Sequence, residues 1–231
     1  MKINNKKGSH VGVILSFVLF ITFLIFIYTL IEPTIVVQKD KQYLLNYIEG
    51  EILKRVSENL TSVIVSANSS HVGFNCLEIN KTRLGLDGLD YIVKDENNII
   101  VNSSSAGEFT RIYWPVRSKV FFKIYYSNET FSDSIMENTL CDNATIRSVR
   151  TDKYVSRSKM VNLIDNYADF ESSLNLPSGN YFSYSFEYTN GTKIETGEKN
   201  VSTSVYAKEK PVQYLDSEAN LNKGIINIRV W

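Results

Sequence analysis

The sequence predicts an α+β fold: an N-terminal transmembrane helix continuing into an amphipathic helix, then a mainly antiparallel β-rich ectodomain with a second helix. Three observations predict it. Residues 11–31 form an uncharged apolar run, VGVILSFVLFITFLIFIYTLI. Residues 37–60 and 155–174 repeat apolar side chains at spacings of three and four, the period of a helix face. Much of the remainder is short alternating stretches bounded by Asn, Asp, Gly and Pro, the pattern of half-buried strands.

At about 1.5 Å per residue the apolar run spans about 30 Å as a helix, which is the hydrocarbon thickness of a bilayer. Only a helix satisfies every backbone polar group there within one segment. The run ends in Ile31-Glu32-Pro33-Thr34 with no small-residue cleavage site, so a retained anchor is favoured over a removed signal peptide. Lys2, Lys6 and Lys7 precede it with no acid among them, which holds residues 1–10 in the cytoplasm and sends the rest outside. Pro33 then suits the first turn of a new helix and would kink a continuous one.

In residues 37–60 the stripe is Leu44, Leu45, Ile48, Ile52, Leu53 and Val56, with Lys41, Asn46, Glu49, Lys54, Arg55 and Glu58 on the other face. Strands are expected at 62–66, 74–79, 90–94, 99–102, 110–115 and 119–126, with residues 94–98 (KDENN) as a hairpin turn. The second helix presents Met160, Leu163, Ile164, Tyr167, Phe170 and Leu174, and Leu176-Pro177-Ser178-Gly179 ends it. Strands at 181–188, 193–195, 200–208, 212–215 and 225–230 follow, with Asn190-Gly191 turning the first pair. In the aromatic runs at 121–126 and 181–188, Phe is expected inward and Tyr outward.

Residues 143–158, rich in Arg and Ser, read as a linker. The chain then divides into a basic leader (1–10), the span (11–31), a membrane-proximal helix (32–60), a first β-rich half (61–145) and a second helix with its own β-rich half (146–231).

Three of the 25 basic residues precede the span, leaving 22 against 25 acids outside, a formal charge of −3. No concentrated basic face is present, so nucleic acid is not an expected partner. A hydrophobic share of 43% with 12% aromatic excludes a disordered stalk. Asn-x-Ser/Thr sequons begin at Asn59, Asn68, Asn80, Asn102, Asn128, Asn143, Asn190 and Asn200, all after the span and about twice the number that composition gives by chance. They read as glycosylation sites on an outward domain, or as the polar surface of an Asn-rich β protein.

Cys76 and Cys141 form no C-x-x-C pair, and only His10 and His71 could join them as soft ligands, so no metal site is expected. In an oxidising exterior the pair would close a long loop as a disulfide, worth about 4 kcal/mol in the chain-entropy estimate. The other reading is two reduced, buried thiols. Acidic groups such as Asp87 with Asp90, or Asp165, Asp169 and Glu171, do not fit a calcium loop. No hydrolase, zinc-protease, P-loop or dinucleotide motif occurs, so no catalytic residue and no cofactor is expected.

One junction carries more. Lys6-Lys7-Gly8 runs directly into Ser9-His10-Val11-Gly12-Val13-Ile14-Leu15. This resembles the N-terminus of archaeal type IV pilins and pilin-like proteins, in which a short basic leader ends in Lys/Arg-Gly ahead of a long apolar helix. The resemblance implies cleavage by a prepilin peptidase between Gly8 and Ser9, and an apolar helix that other pilin-like subunits and the lipid bilayer surround. Residues 169–176, 179–186, 212–216 and 225–231 are similar to the end of some archaeal pilin-like ectodomains, where a helix leads into strands and the last strand closes on Trp. The early acidic residue of bacterial pilins has no counterpart, since Val13 stands there. The length and the sequons favour a minor pilin or pilin-like surface subunit. A signal-anchored surface binding or envelope protein unrelated to pili, and a membrane-anchored enzyme, are the other readings.

Overall fold

The structure, a computed structural model, describes residues 8–67, 75–113, 120–131, 141–197 and 204–231. The leader lysines, His71, Trp114 and the sequons at Asn68 and Asn200 lie outside them.

Helix α1 (Gly8–Val56) is one helix of 49 residues that runs unbroken past Pro33. It leads directly into strand β1 (Ser57–Ser66), so residues 57–60, expected as the end of the helix, are strand. Ladder pairing overrides the helical period there, and Leu60 enters a core of its own. Then come β2 (Cys76–Asn80), β3 (Asp90–Asp95), β4 (Ser103–Ala106), β5 (Phe109–Tyr113), β6 (Phe121–Ser127) and the two-residue β7 (Asp142–Asn143). Residues expected as a linker form the 12-residue β8 (Thr145–Ser156).

Helices α2 (Arg157–Asp165) and α3 (Tyr167–Ser173) replace the single second helix expected over 155–174. The Ser156 hydroxyl caps α2 by accepting from the Lys159 N–H at 3.0 Å. Asn166 divides the pair, its amide turning back to the Asn162 carbonyl at 2.8 Å. The chain ends with β9 (Phe182–Tyr188), β10 (Lys193–Glu195), β11 (Tyr206–Leu215) and β12 (Leu221–Val230).

Eight strands form one curled sheet, ordered β10-β9-β12-β11-β8-β1-β6-β3, and four form a second, β4-β5-β2-β7. Every pairing is antiparallel except two short ones, β8 with β11 and β2 with β7. The expected turn at 94–98 forms, with Asn98 at φ 62 and its N–H on the Asp95 carbonyl at 3.0 Å. Of the two strands expected at 200–208 and 212–215, residues 200–203 lie outside the described residues and 206–215 form one strand through Pro211, whose missing N–H is tolerated on a strand that is an edge for most of its length.

Two main cores result. One lies between α1, α2, α3 and strands β9, β11 and β12, around Ile48, Ile52, Met160, Phe170, Phe182, Phe186 and Ile226. The other lies between the two sheets, around Val63, Leu77, Ile112, Phe122, Ile124 and Tyr126. Cys76 and Cys141 are joined in a disulfide that ties the start of β2 to the approach of β7. Against expectation Tyr126 and Tyr184 point inward. Each finds a partner for its hydroxyl, Thr110 Oγ1 at 2.9 Å and the Leu163 carbonyl at 2.7 Å, which is what permits a tyrosine in the core.

Candidate functional site

The feature that separates this chain from an ordinary α+β domain is α1, because its two ends meet different surroundings. Residues His10–Glu32 are long and apolar enough to cross a bilayer, and none of them is buried in the fold. Ile14, Leu15, Phe20 and Phe23, which together encircle the helix, stand 57 to 64% exposed. Two of its hydroxyls are turned inward on the helix itself: those of Thr22 and Thr29 donate to the carbonyls of Val18 and Phe26 at 2.6 and 2.8 Å. A hydroxyl so satisfied costs little in hydrocarbon.

From residue 41 onward the helix is seated on the large sheet. Leu45, Ile48, Ile52 and Val56 are buried at spacings of three and four against β11, β12 and α2. Polar side chains fasten its edges. Lys41 Nζ donates to Asn180 Oδ1 at 2.7 Å, Tyr47 Oη to the Leu174 carbonyl at 3.3 Å and Lys208 Nζ to Asn46 Oδ1 at 2.6 Å. Arg55 lies 4.7 Å above the Phe170 ring and reaches Ser173 Oγ at 2.8 Å.

At the centre of the seat Glu49, only 9% exposed, pairs with both Lys208 and Lys210. Burial pushes its carboxyl upward, but the hydrogen bonds and charges of the two lysines outweigh it and hold the group below the ordinary 4.5. Glu58, at the start of β1, is likewise lowered: burial raises it, and Lys159, the Asn59 N–H and Asn128 bring it down. The helical period of residues 37–60 puts Glu49 on the solvent face and does not reveal this site. Its signal was the alternation Lys208-Glu209-Lys210, which puts both lysines on one face of a strand.

Among the other expected sites the disulfide is partly interior, with Cys76 fully buried, and the rest are not brought together. Helix α1 begins at Gly8, so the expected cleavage junction lies at its first turn. Among the described sequons, Asn59, Asn102, Asn128, Asn143 and Asn190 are exposed. Asn80 is half-buried, and its Oδ1 accepts from the Arg83 N–H at 2.9 Å. Among the described residues no group of three or more His, Cys, Asp or Glu side chains could hold a metal ion. A groove of about 590 Å³ is lined by Tyr188, Pro211, Val212 and Gly224. A Cβ at Gly224 would fall 2.5 Å from Phe186 Cζ, so only glycine lets that ring lie against β12.

No family model, curated protein or solved structure matches this chain.

Proposed function

We propose that this chain is a pilin-like subunit, a minor pilin or assembly protein, held in a lipid bilayer by α1 with its N-terminus cytoplasmic and its β-rich domain outside. The observation that carries the reading is the continuity of α1. An apolar segment with no cover in the fold passes without a break into a segment bolted to the domain by Ile48, Ile52 and the Glu49 ion pairs. Such a helix can be drawn from lipid into a bundle of like helices while its domain follows as a rigid load. The junction Lys6-Lys7-Gly8 at its start supports removal of the leader by a prepilin peptidase, which takes away charge and leaves the apolar helix intact.

An outward domain accords with the joined cysteines, since disulfides persist in oxidising compartments. The five exposed sequons suit glycans, which need open surface. Mass spectrometry of the protein extracted from membranes tests the reading. Ser9 as the first residue is the expected result. Residues 1–8 still attached would remove the pilin-like reading and leave a signal-anchored surface protein in its place. A chain that is cut, yet absent from sheared filaments, would restrict it to an assembly role at the membrane.

A further inference from the structure

Lys94 stands on β3, the outer strand at one end of the large sheet, yet it is only 2% exposed. Its Nζ donates to Oδ1 of Asn220 at 2.6 Å, across 126 residues of chain. Asn220 belongs to the turn between β11 and β12, and that turn packs onto the sheet: Leu215 and Ala219 are buried with Leu60 and Ile92 in a third, small core. Ile92 shares a face of β3 with Lys94, and the Tyr125 ring lies 5.9 Å from Nζ. The amine therefore meets the amide at the rim of an apolar patch.

The amide is held from its other side. Asn220 Nδ2 donates to Asp216 Oδ2 at 3.1 Å and to Glu218 Oε2 at 3.3 Å, which turns its oxygen to Lys94. Asp216 is itself fixed: Oδ1 accepts from the N–H groups of Glu218 and Asn220 at 2.9 and 2.8 Å, and Oδ2 from Asn222 Nδ2 at 3.0 Å. Cγ of Asn220 lies one C=O bond, about 1.2 Å, beyond Oδ1, so it is less than about 4 Å from Nζ and near the roughly 3–3.5 Å of a reacting pair. Burial pushes the Lys94 ammonium below its ordinary 10.5; Asp216 and Glu218 draw it partly back, and Lys123, opposite on β6, lowers it further. A larger share of the amine is then neutral and able to attack.

We propose that Lys94 and Asn220 join in an intramolecular amide bond that the folded chain forms by itself, with Asp216 carrying the proton. Lys94 first passes a proton to Asp216. The Nζ lone pair then bonds to Cγ, and the C=O π pair moves to Oδ1. As that pair returns, the Cγ–Nδ2 bond breaks, and Nδ2 takes the proton from Asp216 and leaves as ammonia. Nζ gives its surplus proton to Asp216, from which the ammonia collects it, so ammonium departs and a neutral secondary amide remains. One C–N bond forms and one breaks, nothing is oxidised or reduced, and no co-reactant is consumed. The product pins an outer strand to the β11–β12 turn, a second covalent staple beside the disulfide. It depends neither on the leader nor on a membrane.

The test takes the full chain in detergent, denatures, reduces and digests it, and reads the peptides by mass spectrometry. The expected result is one branched peptide that contains both Lys94 and Asn220 and is lighter than its two arms by one ammonia. Asn220→Ala should give linear peptides alone and run more slowly than wild type on a reducing, denaturing gel. Asp216→Asn, checked for folding by circular dichroism, should yield at least about tenfold less branched peptide. Glu218→Gln, at an exposed position, should keep the link. Linear wild-type peptides of unchanged mass overturn the proposal, and the Lys94 contact is then only a hydrogen bond. A branched peptide lighter by water instead of ammonia also overturns it, because the acceptor is then a carboxylate. If Asp216→Asn is misfolded, Glu218→Gln carries the comparison: loss of the link there overturns Asp216 as the proton carrier.

Discussion

Between His10 and Glu32, α1 buries none of its side chains, whereas from Leu45 to Val56 the same helix buries four apolar residues and a carboxylate. Both stretches are rich in Leu and Ile; what differs is how those residues are arranged around the axis. In the first they face every direction, so no single sheet could cover them and only an apolar surrounding on all sides will do. In the second they form one stripe, and Glu49, Asn46 and Arg55 flank it with groups that reach fixed partners. Hydrophobic content alone does not tell a span from a core helix. Angular distribution does, and the partners for the polar flanks come from elements far away in sequence, strand β11 and helix α3.

The largest expected effect tests whether the seat of α1 depends on the stapled half of the domain. Cys76→Ser with Cys141→Ser opens a loop whose ends lie 65 residues apart and should cost about 4 kcal/mol. Hydrogen exchange should locate the loss in β2, β5 and β7, with the amides of α1 from Leu45 to Val56 protected as before. Equal loss of protection in both places would mean that the two cores unfold as one unit.

Next, Ile52→Ala removes a fully buried side chain between α1 and the sheet and should cost roughly 3.5 kcal/mol, within the range for large-to-small core changes. Urea unfolding of the detergent-held protein measures it. A cost under about 1 kcal/mol would show that the helix is only loosely laid on the sheet.

On the uncovered side, Leu19→Arg leaves the folded domain untouched, because Leu19 meets no core. It should penalise bilayer insertion by about 3 kcal/mol. The readout is the fraction of chain resistant to carbonate extraction from membranes, with domain stability unchanged in urea. Lost domain stability without lost membrane retention would reverse the assignment of the two ends of α1.

Much of this contrast was legible in the residues, for reasons that are local. The apolar run, the stripe at Leu45, Ile48, Ile52 and Val56, and the Asn190-Gly191 turn are set by neighbours within a few positions. β8 was not legible, because an edge strand with both faces in solvent has no inward side and so no alternation; Arg147, Ser148 and Arg150 looked like a linker. The end of α1 was misjudged by four residues because its periodicity runs on into Ser57–Leu60, where pairing with β8 decides. Tyr126 and Tyr184 read as outward from their own strands, because their hydroxyl partners, Thr110 and Leu163, lie in other elements. The seat of Glu49 failed in the same way: its lysines come about 160 residues later, and no local rule turns a carboxylate inward.

The smallest effect is the most discriminating about that seat. Glu49→Gln keeps the shape of the side chain and removes its charge. With Lys208 and Lys210 still partly open to water, the pairing is screened and its loss should cost only about 1 kcal/mol at pH 7. The sign with pH follows from the lowered carboxyl of Glu49. A group whose folded value lies below the ordinary 4.5 contributes stability that is complete above that value and is lost as pH falls through the folded one. Wild-type protein should therefore lose stability on acidification below about pH 4.5 by more than Glu49→Gln does, and the two should converge once Glu49 is protonated. Glu58 titrates over the same window in both proteins, so the difference between their unfolding curves at pH 7 and pH 3 isolates Glu49. A gap that persists undiminished at pH 3 would mean that Glu49 serves by shape and packing, and that its charge does nothing to hold α1 to β11.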